Sequence, residues 1–82
     1  MLKVSVISPE AVLFEGETDS VVAPAYDGEI GILTGHAPLM ALLGNGELRL
    51  GTGGGPRFNV SGGFMQVFSD DVRVVTEKAA AL

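Results

Sequence analysis

The only imidazole in the sequence, His36, is the natural first candidate for acid–base or nucleophilic work, yet nothing around it completes a catalytic set. A serine nucleophile would need the sharp G-x-S-x-G elbow, and Ser61, although followed by Gly62 and Gly63, has no such surround. A zinc-like centre needs several nitrogen or sulfur ligands; one histidine and no cysteine do not supply them. Carboxylates come close together at Glu15 with Glu17 and at Asp70 with Asp71, as a general acid and base would. Both pairs fall in stretches read as turns, where a solvated carboxylate stays ionised and transfers protons poorly at neutral pH. The run "GTGGGPR" has the glycines of a phosphate cradle but not the lysine and hydroxyl of a P-loop, and it leads into a strand where such loops open a helix. It reads as a hairpin tip. No catalytic residue, nucleotide site, metal ligand or cofactor is expected.

The elements that would position these residues are short strands. In "LKVSVIS", Leu2, Val4 and Val6 share one face and Lys3 and Ser5 the other, the period of two of a half-buried strand. "AVLFEG" and "DSVVAPA" follow, separated by an acidic corner at Glu15, Glu17 and Asp19. "GELRL" alternates Leu48 and Leu50 inward with Glu47 and Arg49 outward, entered through the turn pair Asn45-Gly46. "RFNVS" sets Phe58 and Val60 against Asn59 and Ser61. "GFMQVF" is apolar on both faces, Phe64 and Phe68 on one and Met65 and Val67 on the other, as in a strand covered on both sides or facing a partner. "SDD" turns the chain into "VRVVTE". Seven to nine strands with turns every 8 to 12 residues describe a small sandwich or flattened barrel. The last residues, "TEKAAAL", are strong helix formers but too few for a stable isolated helix. A sandwich over residues 1–76 followed by the start of a helical region at 77–82 is expected.

Composition narrows the function classes. Ten acidic against five basic side chains give a net charge of −5, which repels nucleic-acid phosphates and anionic lipid headgroups and favours a basic partner. The longest apolar run is far short of the roughly 18 residues of a spanning helix, and "MLKVSVISPE" lacks a signal peptide's apolar stretch. A soluble chain of one domain, with one core and no disulfide, is expected.

The stretch "DGEIGILTGHAPL" (27–39) points to docking. Ile30 and Ile32 share a face of an extended strand while Leu33 takes the other, so some apolar surface stays outside. Asp27 and Glu29 form an acidic rim suited to basic loops, and glycines at 28, 31 and 35 let the backbone bend and approach a neighbour. His36 reads as a half-buried structural residue or an interfacial hydrogen-bonding one, and Met40 and Met65 as core filling or adaptable contact surface.

Taken in order, the start "LKVSVISPE", "GEIGILTGHAPLMALLGNGELRL" and "FNVSGGFMQVFSDDVRVVTEKA" resemble the N-terminal β-sandwich domain of the epsilon subunit of the rotary ATP synthase, the subunit called delta in mitochondria, over essentially the whole chain. The resemblance implies two antiparallel sheets of near ten strands. It also implies a noncatalytic central-stalk part of the rotor, docking the gamma subunit onto the ring of c subunits and helping couple ion translocation to ATP synthesis. It assigns Asp27, Glu29, Ile30 and Ile32 to the c ring, and Ser8, His36 and Ala41 to gamma. It places the chain peripherally on the cytoplasmic face of a bacterial inner membrane, or the stromal or matrix face of an organelle membrane. Family members commonly carry a C-terminal helical hairpin that inhibits ATP hydrolysis and in some binds ATP; the matching residues are absent here, so neither property transfers. The alternatives are a small-ligand-binding β-sandwich using an open barrel end, and a small hydrolase built on His36 and an acidic partner.

Overall fold

Alternation becomes ten strands in the computed structural model, which describes residues 1–52 and 54–82. They are β1 (Leu2–Ile7), β2 (Val12–Thr18), β3 (Ser20–Ala25), β4 (Gly28–Leu33), β5 (Leu39–Leu42), β6 (Asn45–Leu50), β7 (Arg57–Ser61), β8 (Phe64–Phe68), β9 (Asp71–Val75) and β10 (Lys78–Ala81). The first sheet runs β2-β1-β9-β8-β5 and the second β10-β7-β6-β3-β4. The two sheets of the expected sandwich are present, and one pairing departs from the antiparallel expectation: β1 lies parallel to β9, Lys3 opposite Asp71 and Ile7 opposite Val75. The chain's first strand is thereby locked against one of its last.

The inward positions follow the pattern. Leu2, Val4 and Val6 of β1, Leu48 and Leu50 of β6, Phe58 and Val60 of β7, and Met65 and Val67 of β8 are all buried in one core between the sheets. Each side chain of this size contributes about 1.5–3 kcal/mol by leaving water. Thr76 is buried with them, and its hydroxyl lies 2.9 Å from the carbonyl oxygens of both Gly62 and Lys78, donating to one at a time.

Two turns have the backbone their residues permit. Ser69 and Asp70, between paired Phe68 and Asp71, have φ of 53° and 62°, as the expected "SDD" hairpin of mirror-image turn type requires. In "SGG", Gly63 has φ of 107°, and a side chain there would collide with the Val75 carbonyl oxygen.

Three expectations need correcting, and a fourth falls partly outside the described residues. The helix expected to start at 77–82 is strand β10, paired with β7 from Lys78 opposite Ser61 to Ala81 opposite Phe58. The β7 edge offers these residues a ladder, and the Thr76 hydroxyl, 2.9 Å from the Lys78 carbonyl oxygen, fastens its start. Asn45-Gly46 is not a turn but the start of β6, with Asn45 opposite Ser61 and Gly46 opposite Val60. Glycine suits this place because Pro24 lies against it, 2.9 Å from where a Cβ would stand. Glu15 and Glu17 sit on β2 rather than in a turn, pointing outward opposite Ser5 and Lys3. The tip expected at "GTGGGP" includes residue 53, outside the described residues.

Candidate functional site

The sequence singled out residues 27–39, and the structure gives them two different settings. β3 and β4 form a hairpin in which Ala25 faces Gly28, leaving Tyr26 and Asp27 as a two-residue tip. The tip is braced from the side: the Tyr26 N–H donates to the Leu42 carbonyl at 2.8 Å and the Gly44 N–H to the Pro24 carbonyl at 2.8 Å. Asp27 is exposed there, with no basic side chain in ion-pair range among the described residues. Glu29 points from β4 onto the outer face of the second sheet, where its carboxylate meets Arg49 at 3.4 Å. Arg49 also reaches Glu47 at 3.8 Å, and Glu47 meets Arg57 at 3.6 Å, so Glu29 ends an alternating row of charges. The acidic rim is therefore one free carboxylate, Asp27, and one already partnered.

Ile30 is half-buried against the core. Ile32, assigned to the c ring by the resemblance, is completely buried opposite Val21, which removes it from any contact set. Leu33, one residue on, takes the outward parity and is 65% exposed. The chain then turns at Thr34-Gly35, with Gly35 at φ of 86° and the His36 N–H donating to the Leu33 carbonyl at 3.1 Å. The Gly35 N–H donates to the Asp70 carboxylate at 2.7 Å, tying this turn to the β8–β9 hairpin of the other sheet. Gly31 has neither a positive φ nor a close neighbour, so the bend expected of it is absent.

The residues assigned to gamma are not brought together. Register puts Ser8, just after β1, at the end of the sandwich that carries the Tyr26-Asp27 tip, beside β7 and β10. His36 lies at the opposite end, half-buried, its Nδ1 2.7 Å from the Ala37 carbonyl oxygen. Ala41 lies midway along edge strand β5 opposite Met65, half-buried.

A different surface connects the last two. On the outer face of the first sheet, Met40 and Leu42 of β5 stand opposite Gln66 and Phe64 of β8, and Phe68 follows. Met40 is 64%, Leu42 68% and Phe68 65% exposed, an apolar concentration of the kind that marks an interface. It runs into the shallow concavity bounded by His36, Pro38 and Phe68. The two-faced apolarity of "GFMQVF" anticipated the β8 half; Leu42 was missed, although the unbroken apolar run of β5 was its signal. Elsewhere that outer face carries Lys3, Glu15, Glu17, Asp71 and Arg73, with Val12 58% exposed opposite Ile7 near its end. The space between the sheets is filled by side chains, and no group of three or more His, Cys, Asp or Glu suited to a metal occurs among the described residues.

Sandwich, braced acidic tip and apolar outer face can be set beside known proteins. The family model for the ATP synthase delta/epsilon chain β-sandwich domain matches residues 1–81. The chain belongs to that family. The ATP synthase epsilon chain of Leptospira interrogans is 44% identical over 80 residues, covering 96% of this chain and 63% of the relative. That of Rhodopirellula baltica is 47% identical over 75 residues, covering 90% of this chain and 59% of the relative. The chain thus spans less than two thirds of the length of the curated relatives it matches. A chain in the cryo-EM structure of Euglena gracilis mitochondrial ATP synthase has the same fold, with a TM-score of 0.87 and 24% identity, over 98% of this chain and 52% of that one. Within the family's sandwich, the β3–β4 tip and the outer face of β5 and β8 are two surfaces that folding leaves unexplained.

Proposed function

We propose that this chain is a noncatalytic rotor subunit of a rotary ATP synthase, docking gamma onto the c ring and helping couple ion translocation to ATP synthesis. The observation that carries the reading is the pairing, on this family's sandwich, of an exposed apolar sheet face with a braced acidic hairpin tip. The tip, with Asp27, Glu29 and the exposed part of Ile30, faces the polar loops of the c ring; its exposed carboxylate without an ion-pair partner among the described residues supports that assignment, and relatives named ATP synthase epsilon chain support the subunit's role. Gamma lies along β5, covering Met40, Leu42, Phe64 and Phe68, with Ala41 and His36 at its border; Ser8, following β1 on the far side of the sheet from β5, is left outside this contact. As part of the synthase the chain is membrane-associated without entering the bilayer, on the cytoplasmic face in a bacterium. It needs no cofactor, because its task is to hold two surfaces at a fixed spacing.

Glu29→Lys tests the reading. The substitution reverses charge at the tip and sets a cation beside Arg49, while an exposed site costs folding only about 0.5 kcal/mol. Expected is a variant that melts within a few degrees of the parent but is recovered with c-ring-containing membranes in clearly reduced amount. Full recovery of the folded variant would count against the c-ring assignment.

A further inference from the structure

Tyr26 is 82% exposed, the most exposed large apolar side chain in the described chain. Nothing in folding asks for it. Two-residue hairpin tips favour Gly, Asn, Asp and Ser, whose backbone or side chain suits the turn, and the Tyr26 hydroxyl makes no hydrogen bond to another described residue. Its backbone, by contrast, is held firmly. The hairpin closes directly behind it at Ala25 and Gly28, its N–H is bound to Leu42, and Ala25 makes a bridge to Leu43 of the other sheet's edge. A large, two-torsion aromatic on a braced tip loses little entropy when covered, the property that makes tyrosine common among residues that dominate interfaces. Beside it stands Asp27, a carboxylate with no ion-pair partner among the described residues, on a chain of net charge −5.

We propose that Tyr26 and Asp27 form the anchor of the tip: the ring receives the cationic side chain of a basic loop on the partner polypeptide, and the Asp27 carboxylate pairs with the same charge. A cation over an aromatic face is attracted by the ring's quadrupole, and a neighbouring carboxylate fixes its position. Glu29, occupied by Arg49, plays the secondary part of limiting which cations approach. This rests on the reading that the β3–β4 end faces the c ring, and it names the residue that dominates the contact.

The test uses the purified chain and purified c rings in detergent. Wild type, Tyr26→Phe, Tyr26→Leu and Tyr26→Ala are titrated, with thermal melts for each. Expected are unchanged melting temperatures, binding by Tyr26→Phe within about twofold of wild type, and about tenfold or greater weakening for Tyr26→Leu and Tyr26→Ala. Tyr26 is the only tyrosine, so tetranitromethane labels it alone in the free chain, and ring binding should protect it. Binding by Tyr26→Ala equal to wild type, Tyr26→Leu as tight as Tyr26→Phe, or full nitration in the complex would each overturn the anchor while leaving c-ring docking intact. Wild type failing to bind the ring would overturn the docking reading and the anchor with it.

Discussion

At the scale of single residues, adjacent side chains in one strand have opposite duties. Ile32 and Leu33 look interchangeable in "GEIGIL", and the apolar surplus that marks an interface was legible there without structure. Which of the two is surplus was not, because parity is fixed only by register with β3, where Ile32 faces buried Val21. The ion pair of Glu29 with Arg49 was hidden for the same reason: the partners lie far apart in sequence and meet only because β3 stands between β4 and β6. The difference is measurable. Ile32→Ala leaves a cavity in the core and should lower unfolding free energy by about 2–5 kcal/mol, whereas Leu33→Ala at an exposed site should change it by about 0.5 kcal/mol or less. Urea unfolding of the two variants checks this, and equal losses would mean that Leu33 too is part of the folding core.

Elements were easiest to read where polar and apolar residues alternate over five or more positions, as in β1 and β7. They were hardest to read where composition is uniform. β10 is three alanines and a lysine; intrinsic preference favours helix, and only the unpaired edge of β7 makes it a strand. Its hold is correspondingly narrow: four ladder positions and the Thr76 hydroxyl, which lies within 2.9 Å of the Lys78 and Gly62 carbonyl oxygens. Thr76→Val keeps shape and burial while removing that donor, leaving carbonyls in a dry site without it. The expected cost is about 1–3 kcal/mol. Amide hydrogen exchange should locate it, with residues 78–82 losing protection first and β1, β6 and β9 exchanging only with global opening. Uniform loss across both sheets would show that β10 is not a separable element.

The molecule as a whole keeps its two surfaces chemically distinct. The tip end offers a carboxylate, a partnered glutamate and one aromatic, so attraction there is largely electrostatic; the outer face of β5 and β8 offers methionine, leucine and phenylalanine, so attraction there is by apolar burial. Because β1 is sealed against β9 and the core is continuous, the two surfaces are held on one rigid body rather than on hinged halves. Added salt should therefore separate the contacts without unfolding the chain. The Debye length shrinks from about 10 Å at 0.1 M to about 3 Å at 1 M, which weakens charge steering at the tip and leaves apolar burial intact or slightly stronger. Binding to purified c rings is expected to fall severalfold between those conditions, and binding to purified gamma to hold constant or rise. Parallel loss of both would mean that charge, not the apolar face, carries the gamma contact. Salt-independent c-ring binding would mean that charge does not hold the tip contact and would overturn the pairing of Asp27 with a partner cation.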